Sequence, residues 1–319
     1  MLKVFFTVDV EVWCDGWYDL DRAFPDAFHR YVYGPTAHGN CALPLTLRIL
    51  SDHGLSGVFF TEPLFAARFG IVPLQEIVGL IAEAGQEVQM HLHTEWADEA
   101  RAPLLPGVSE KRQHLRSFSR NEQTELIRIG LDLLRSAGVE GINAFRAGNF
   151  GANRDTLCAL EDNAISFDSS YNPCVPSTQS MLESQEKLFQ PARVNGVIEY
   201  PMTVFAIGSG KFRHAQLGAC SFREMERLLW QASDAGWRSF VILAHNFELL
   251  NKSKTARDDI VVNRFEELCG FLDRNRDVFH TSGFRNLTPD VFDEQPPPLK
   301  SALLPAFLRA LEQGWRRTL

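Results

Sequence analysis

The stretch SGVFFTEPLFAARFGIVPLQEIVGLIAEAGQEVQMHLH, residues 56–93, decides the fold. It opens with the apolar run VFF, bounded by Gly57 and Pro63. VPLQEIVGLIAEAG (72–85) follows, with Pro73 near its first turn, apolar residues at helical spacing and Gly85 at its end, which predicts a helix. QEVQMHLH (86–93) then reads as a second strand. A strand, a helix and another strand at this spacing form the crossover unit of a parallel sheet.

The same alternation extends in both directions. KVFFTVDV (3–10) predicts a strand, followed by a loop rich in Pro, Gly and aromatic residues to about residue 40 and a helix over LPLTLRILSDHG (43–54). Downstream, NEQTELIRIGLDLLRSAG (121–138), with Asn121 as candidate N-cap, predicts a helix, as does NRDTLCALEDN (153–163). GINAFRAG (141–148), AISFDSSY (164–171), VIEYPMTVFA (197–206) and RSFVILAHN (238–246) predict strands. SFREMERLLWQASDAG (221–236) and ARDDIVVNRFEELCGFLDRN (256–275) are amphipathic helices, and DVFHT (277–281) a last short strand. About seven strand–helix units predict a distorted, seven-stranded (β/α) barrel of the α/β class. An open doubly wound sheet is disfavoured, because no G-x-G-x-x-G follows the first strand. The domain is expected to run from 1 to 293. Residues 294–319 hold the linker EQPPPLKS and a helix over ALLPAFLRALEQGW (302–315), expected to pack on the barrel.

With 319 residues, 45% hydrophobic and 23% charged, the chain reads as an ordinary globular protein able to bury a large core. A net charge of -8 gives no electrostatic reason for nucleic acid or an anionic membrane as partner. No apolar run approaches the roughly 20 residues that span a bilayer. MLKVFFTVDV lacks the pattern of a secretory leader, and the six cysteines show no C-x-x-C pairing, so reduced thiols and a cytoplasmic location are expected. Oligomeric state is left open.

Active sites of parallel barrels lie at the C-terminal ends of the strands. Five predicted strand ends carry ionisable groups: Asp9 and Glu11, His91 and His93, Arg146, Asp168, and His245. Residues two apart on an extended chain share a face, so Asp9 with Glu11, and His91 with His93, can reach one point. Two imidazoles and a carboxylate suit Zn²⁺, with Co²⁺, Ni²⁺ or Fe²⁺ also fitting mixed nitrogen and oxygen donors. A second carboxylate could accept a proton from the water such an ion activates. Arg146 could hold that carboxylate, and His245, expected on the opposite side of the rim, could protonate a leaving nitrogen. A buried His245 satisfied by Asp168 is the plainer reading of that pair. Trp13, Trp17 and Tyr18 crowd the loop after Glu11, either as a sugar-stacking wall or as the loop's own small core.

TVDVE (7–11), GQEVQMHLHTEW (85–96), FRAGNFG (145–151), FDSSY (167–171) and LAHNFE (243–248), in that order, resemble the motifs of the NodB-like polysaccharide deacetylases, carbohydrate esterase family 4. The resemblance spans about residues 3–250 and is that of a divergent, cytoplasmic-type member. It implies metal-dependent removal of an acetyl group, N-acetyl first, from a sugar or from a nucleotide- or lipid-linked saccharide precursor in surface-polysaccharide or O-antigen synthesis. By position it implies Asp9 as catalytic base, Glu11 as metal ligand, Arg146 as the arginine orienting the base, and His245 as catalytic acid. It further implies Asp168 as that acid's partner or a pocket residue, and an oxyanion contact from the main chain near Asn149 and Phe150. The family's second motif places two metal histidines four residues apart. Starting from His91, that spacing falls on Glu95, so the third ligand is either Glu95 or His93, the one that strand geometry favours. Val10, and the Ala-Gly-Asn of FRAGNFG, also depart from the family pattern. A metal-dependent amidohydrolase acting on a non-sugar or cyclic amide, and a non-catalytic carbohydrate-binding or scaffold protein, are the alternatives.

Overall fold

The computed structural model describes residues 1–107, 110–182, 186–208 and 210–301. Its central sheet contains seven parallel strands: β1 (Leu2–Val10), β2 (Gly57–Thr61), β3 (Glu87–Leu92), β4 (Ala144–Ala147), β5 (Phe167–Asp168), β6 (Val197–Glu199) and β7 (Ser239–His245). They are hydrogen-bonded in the order β7-β1-β2-β3-β4-β5-β6, with an antiparallel strand, Ala192–Val194, on the outer edge of β6. A further strand, β8 (Phe279–Thr281), pairs with the start of β1. Helices α1 (Leu20–Phe28), α2 (Leu43–Asp52), α3 (Val72–Glu83), α4 (Arg120–Ser136), α5 (Arg154–Asp162), α6 (Phe222–Asp234) and α7 (Asp259–Arg274) supply most of the connections. The expected distorted seven-stranded (β/α) barrel is thus the fold observed.

Among the described residues no ladder joins β6 to β7, so the barrel is curled but not closed by strand pairing. The free edge of β7 is satisfied in other ways. Val241 N–H donates to Thr203 Oγ1 (2.8 Å), Leu243 N–H to the Ala215 carbonyl (2.9 Å), and the Arg238 and Ser239 amides to Gln190 Oε1. An exposed strand edge invites pairing with other chains, and these contacts cover it.

Alternation along the strands separates two apolar layers. Val4, Phe6, Val8 and Val10 of β1 pack outward in the layer that includes the helices. Phe5 points inward, with Phe60, Ala144, Phe167, Ile198 and Val241 from the other strands. After β8 the chain inserts Phe284 beneath them, its ring centroid 5.0 Å from Phe5, 5.6 Å from Phe167 and 5.3 Å from Tyr200. One end of the barrel is thus an apolar plug, in which each buried Phe contributes about 1.5–3 kcal/mol. The same inward column, followed two residues at a time along β1 and β3, leads to Asp9 and Glu11 and to His91 and His93.

Several boundaries differ from expectation. The loop after β1 contains α1, whose Leu20, Phe24, Ala27 and Phe28 are buried, with Phe24 stacked on Phe69. Pro25 and the neighbouring glycines hid that helix from the sequence pattern. The cap of α4 is Ser119 rather than Asn121, because Ser119 and Glu122 exchange side-chain and backbone hydrogen bonds in a capping box. The run 197–206 splits into β6 and a separate strand, Val204–Ala206, interrupted at Pro201, which has no N–H to donate. Gln295 Oε1 accepts from the Phe189 and Gln190 amides, and Leu299–Lys300 pairs with the 204–206 strand. The linker therefore lies on the barrel, and the expected helix over 302–315 lies outside the described residues. The six cysteines, all among the described residues, form no disulfide. No helix among the described residues is long and apolar enough to cross a membrane.

Candidate active site

A cavity of 420 Å³ opens at the C-terminal ends of the strands. It is lined by Asp9, Glu11, Trp13, His91, His93, Asn149, Phe150, His214, Gln216 and His245, together with Ala147 and Leu243. Strand register brings these residues together. Asp9 is paired with His245 across β1 and β7, and His91 with Arg146 across β3 and β4. His245 therefore stands beside Asp9 rather than on the opposite side of the rim, because β7 is the immediate neighbour of β1. Asn246 fixes the chain beyond both strands: its side chain accepts from Glu11 N–H (3.0 Å) and donates to the carbonyls of Glu11 (3.2 Å) and Tyr31 (2.7 Å).

Glu11, His91 and His93 converge on one point. Glu11 Oε1 lies 3.1 Å from His91 Nε2 and 2.9 Å from His93 Nε2, and all three residues are buried. The far side of each ring is held. His91 Nδ1 is 2.8 Å from the Arg146 carbonyl, which can only accept, and His93 Nδ1 is 3.2 Å from Glu95 Oε2. Both rings therefore carry a proton on Nδ1 and turn Nε2 toward the carboxylate. Two unprotonated nitrogens facing one carboxylate oxygen repel unless a cation or a proton lies between them. Burial alone would raise the Glu11 pKa, but the charge of His93 and hydrogen bonds from both imidazoles outweigh it and hold the carboxyl well below its usual range. Burial would lower His93, and Glu11 and Glu95 instead raise it well above the ordinary imidazole value. Two imidazole nitrogens and a carboxylate oxygen within 4.8 Å of one another fit a tetrahedral divalent cation with one position left open.

The two candidates for the third ligand stand in different places. His93 presents Nε2 to the convergence point, whereas Glu95 stands behind it, bonded to His93 Nδ1 and to Asn149 Nδ2 (3.0 Å). A carboxylate on the remote nitrogen of a liganding histidine fixes its tautomer and orientation. The chain stays extended through His93 (φ -98°, ψ 105°) and turns only at Thr94, so the i, i+2 pair faces the cavity and position 95 does not. Gly148 makes room for the ring: a Cβ there would lie 2.7 Å from His93 Cγ.

Arg146 is fully buried, with its guanidinium over the Phe60 ring. It binds Asp9 Oδ1 at 2.6 Å and, on its other side, the Ser169 carbonyl and hydroxyl. Asp9 is thus held at the cavity wall. Burial alone would lower the pKa of His245, but the Glu248 hydrogen bond, with the charges of Glu11, Glu248 and Asp9, raises it to about 9. Trp13 donates Nε1–H to Glu11 Oε2 (2.7 Å) and meets His93 edge-on. Trp17 and Trp96 continue this cluster, while Tyr18 is 92% exposed and belongs to no wall. Asn149 and Phe150 both have left-handed backbones (φ 52° and 51°) where the chain bends over the cavity.

Asp168 does not line the cavity and is not the partner of His245. It is buried beside Glu199 of the adjacent strand and accepts from Ser170 Oγ at 2.6 Å. Burial raises both carboxyls, and the charge and hydrogen bond of Asp168 raise Glu199 further, so the pair holds a proton. Strand β5 is only two residues long, and its second side chain meets Glu199 instead of turning to the rim. The partner of His245 is Glu248, Nδ1 to Oε2 at 3.0 Å. Sequence reading also missed Glu62, just past β2, a buried carboxylate bonded to the amides of Leu64 and His93 and raised to about 8 by burial. His214 and Gln216 were missed too, because they lie at the end of and just past a short strand, Phe212–His214, with no strand-like run in the sequence. The Glu within TEP (61–63) and a Glu three residues after His245 were the available signals.

No protein-family model matches the sequence, and no curated protein matches it. Solved structures do. One from Mycobacterium smegmatis, described as a "putative polysaccharide deacetylase", superposes over 93% of this chain and 95% of its own, with a TM-score of 0.57 and 17% identity. A 4-alpha-glucanotransferase from Thermococcus litoralis superposes over 89% of this chain and 39% of its own, with a TM-score of 0.55 and 10% identity. A family 4 carbohydrate esterase from Streptomyces lividans, at a TM-score of 0.46 and 12% identity over 88% of this chain and 92% of its own, is too distant to add to the fold assignment. The fold is therefore that of the mycobacterial structure. Because a glucanotransferase shares it, the chemistry must be read from the site.

Proposed function

We propose that this chain is a divergent NodB-like deacetylase that uses a divalent cation to hydrolyse an acetyl group, N-acetyl in the first instance, from a saccharide. The observation that carries the reading is the convergence of Glu11, His91 and His93 beside an Asp9–Arg146 pair and a protonated His245. Glu11 Oε1, His91 Nε2 and His93 Nε2 would hold the ion, with Zn²⁺ the first choice for this donor set and Co²⁺, Ni²⁺ or Fe²⁺ compatible with it. When bound, the ion polarises the acetyl carbonyl and makes water a stronger acid.

The chain's own residues do the rest. Asp9, fixed through one oxygen by Arg146, accepts a proton from the attacking water. The water oxygen adds to the acetyl carbon, and backbone N–H groups near Asn149 and Phe150 face the charge that develops on the carbonyl oxygen. His245, protonated at neutral pH, gives its proton to the departing amine nitrogen as the C–N bond breaks. Acetate and the free amino sugar result. Trp13 and Phe150 offer apolar ring surface at the mouth, as expected for sugar faces. A saccharide precursor of a surface polysaccharide, nucleotide- or lipid-linked, is the substrate class proposed.

The test is Asp9→Asn. One equivalent of Zn²⁺ should remain bound by elemental analysis, while acetate release from N-acetylated saccharides falls by about 10²–10⁴-fold. Wild-type turnover in D9N would show that Asp9 is not the base.

A further inference from the structure

We infer that Glu248 is the positioning residue of His245, as the end of a directional hydrogen-bond chain that runs Asn172–His214–Gln216–Glu248–His245. The inference deepens the acetyl-hydrolysis reading and relies on it only for the task given to His245.

The direction of each link follows from its partner. Asn172 Oδ1 accepts from Cys174 N–H (2.9 Å), so its NH₂ group faces His214 Nδ1 at 3.4 Å. An amide NH₂ can only donate, which makes His214 Nδ1 the acceptor and leaves the ring proton on Nε2. Nε2–H then donates to Gln216 Oε1 at 3.0 Å. Burial pushes the His214 pKa down, consistent with a neutral ring. With its oxygen turned to His214, Gln216 directs its NH₂ to Glu248, at 3.0 and 3.2 Å from the two carboxylate oxygens.

Glu248 receives three further donors. Gly218 N–H reaches Oε1 at 2.9 Å, and His245 N–H and Nδ1 reach Oε2 at 3.2 and 3.0 Å. An ionised carboxylate can accept from all of them, whereas an amide or a neutral acid would set a donor against a donor. His245 is therefore fixed with its proton on Nδ1, leaving Nε2 as the nitrogen that delivers a proton into the cavity. Gly218 is part of the device, since a Cβ on it would overlap the Glu248 carboxylate. The titratable groups facing His245 are Glu248 on its own loop, Asp9 at the end of β1, Glu11 just beyond it, and the neutral His214 on the neighbouring hairpin. Of these, only Glu248 bonds to its ring.

The experiment is NMR of the full chain labelled with [¹⁵N]histidine, the His245 signals being assigned by their loss in His245→Gln. The expected wild-type spectrum shows Nδ1 protonated throughout the titration, with Nε2 the nitrogen that loses its proton. In Glu248→Gln this preference disappears and the His245 titration moves down by about one pH unit or more, while Glu248→Asp recovers part of it. In acetate-release assays the alkaline limb of kcat/KM moves down by the same amount, and kcat falls by about 10²-fold with KM little changed. Loss of folded protein alone would not move that limb. If E248Q does not fold, Gly218→Ala, which displaces the carboxylate while keeping it, should give the same spectral change. A wild-type His245 whose neutral form carries its proton on Nε2, or an unchanged titration in folded E248Q or G218A, overturns the inference. If the spectra behave as expected but the wild type releases no acetate, the deacetylase reading fails and the positioning role stands.

Discussion

Gly148→Ala adds one methyl group at the point where the candidate metal centre has least room. The new Cβ would lie 2.7 Å from both Cγ and Nδ1 of His93 and 2.8 Å from the Leu92 carbonyl oxygen. Carbon atoms pack at about 3.5–4.0 Å, so the ring must retreat by roughly 0.8–1.3 Å, since the Leu92 carbonyl belongs to the β3 backbone and yields little. Overpacking of this kind costs about 1–3 kcal/mol of stability. The retreat also breaks the alignment of His93 Nε2 with Glu11, at 2.9 Å, and of Nδ1 with Glu95, at 3.2 Å. Metal sites tolerate ligand displacements of about 0.2 Å, so cation affinity should fall by at least the ~10–100-fold seen when supporting contacts are lost. The assay is thermal or urea unfolding with and without Zn²⁺. At a cation concentration of about 100 Kd the wild type gains about 2.7 kcal/mol, whereas a variant with 100-fold weaker binding gains about 0.4 kcal/mol. If G148A is as stable as the wild type and gains as much from Zn²⁺, the crowding argument is refuted, and with it the place of His93 at the centre.

Two further outcomes follow from the electrostatics. The raised pKa of His93 means that, without a cation, this ring carries a second proton at neutral pH, which must leave before Nε2 can bind. Cation binding at pH 7 should therefore release close to one proton, measurable by calorimetry in buffers of different ionisation enthalpy, and affinity should weaken as pH falls; binding with no proton release and no pH dependence contradicts this. Asp168→Asn should change turnover by less than about tenfold, because Asp168 shares a proton with Glu199 and touches neither His245 nor the cavity. A loss comparable to that of D9N would restore a catalytic role to Asp168.

The barrel and much of the lining of the candidate cavity were legible because both rest on the two-residue period of strands. The alternation that buries Phe5 carries Asp9 and Glu11 inward, and the same period brings His91 and His93 to one oxygen. Features set by long-range register or by loops were not legible. Nothing in FDSSY shows that β5 is two residues long, so Asp168 looked like a rim residue when it is half of a buried carboxyl pair. Which strands are neighbours fixes His245 beside Asp9, and a linear reading placed it across the rim. His214 and Gln216 enter from a hairpin that bridges the open seam of the barrel, and their role depends on hydrogen bonds between residues more than thirty positions apart. The different placements of His93 and Glu95 depend on where strand geometry gives way to a turn, one residue after His93.

The most direct measurement is acetate release by the purified protein, stripped with a chelator and then reloaded with one equivalent of Zn²⁺ or Co²⁺, on a panel of N-acetylated saccharides. The account predicts no release from the stripped protein, stoichiometric acetate and free amine after reloading, and no cation retained at this centre by Glu11→Gln. A reloaded protein that holds its cation through Glu11, His91 and His93, binds saccharide and liberates no acetate would contradict it.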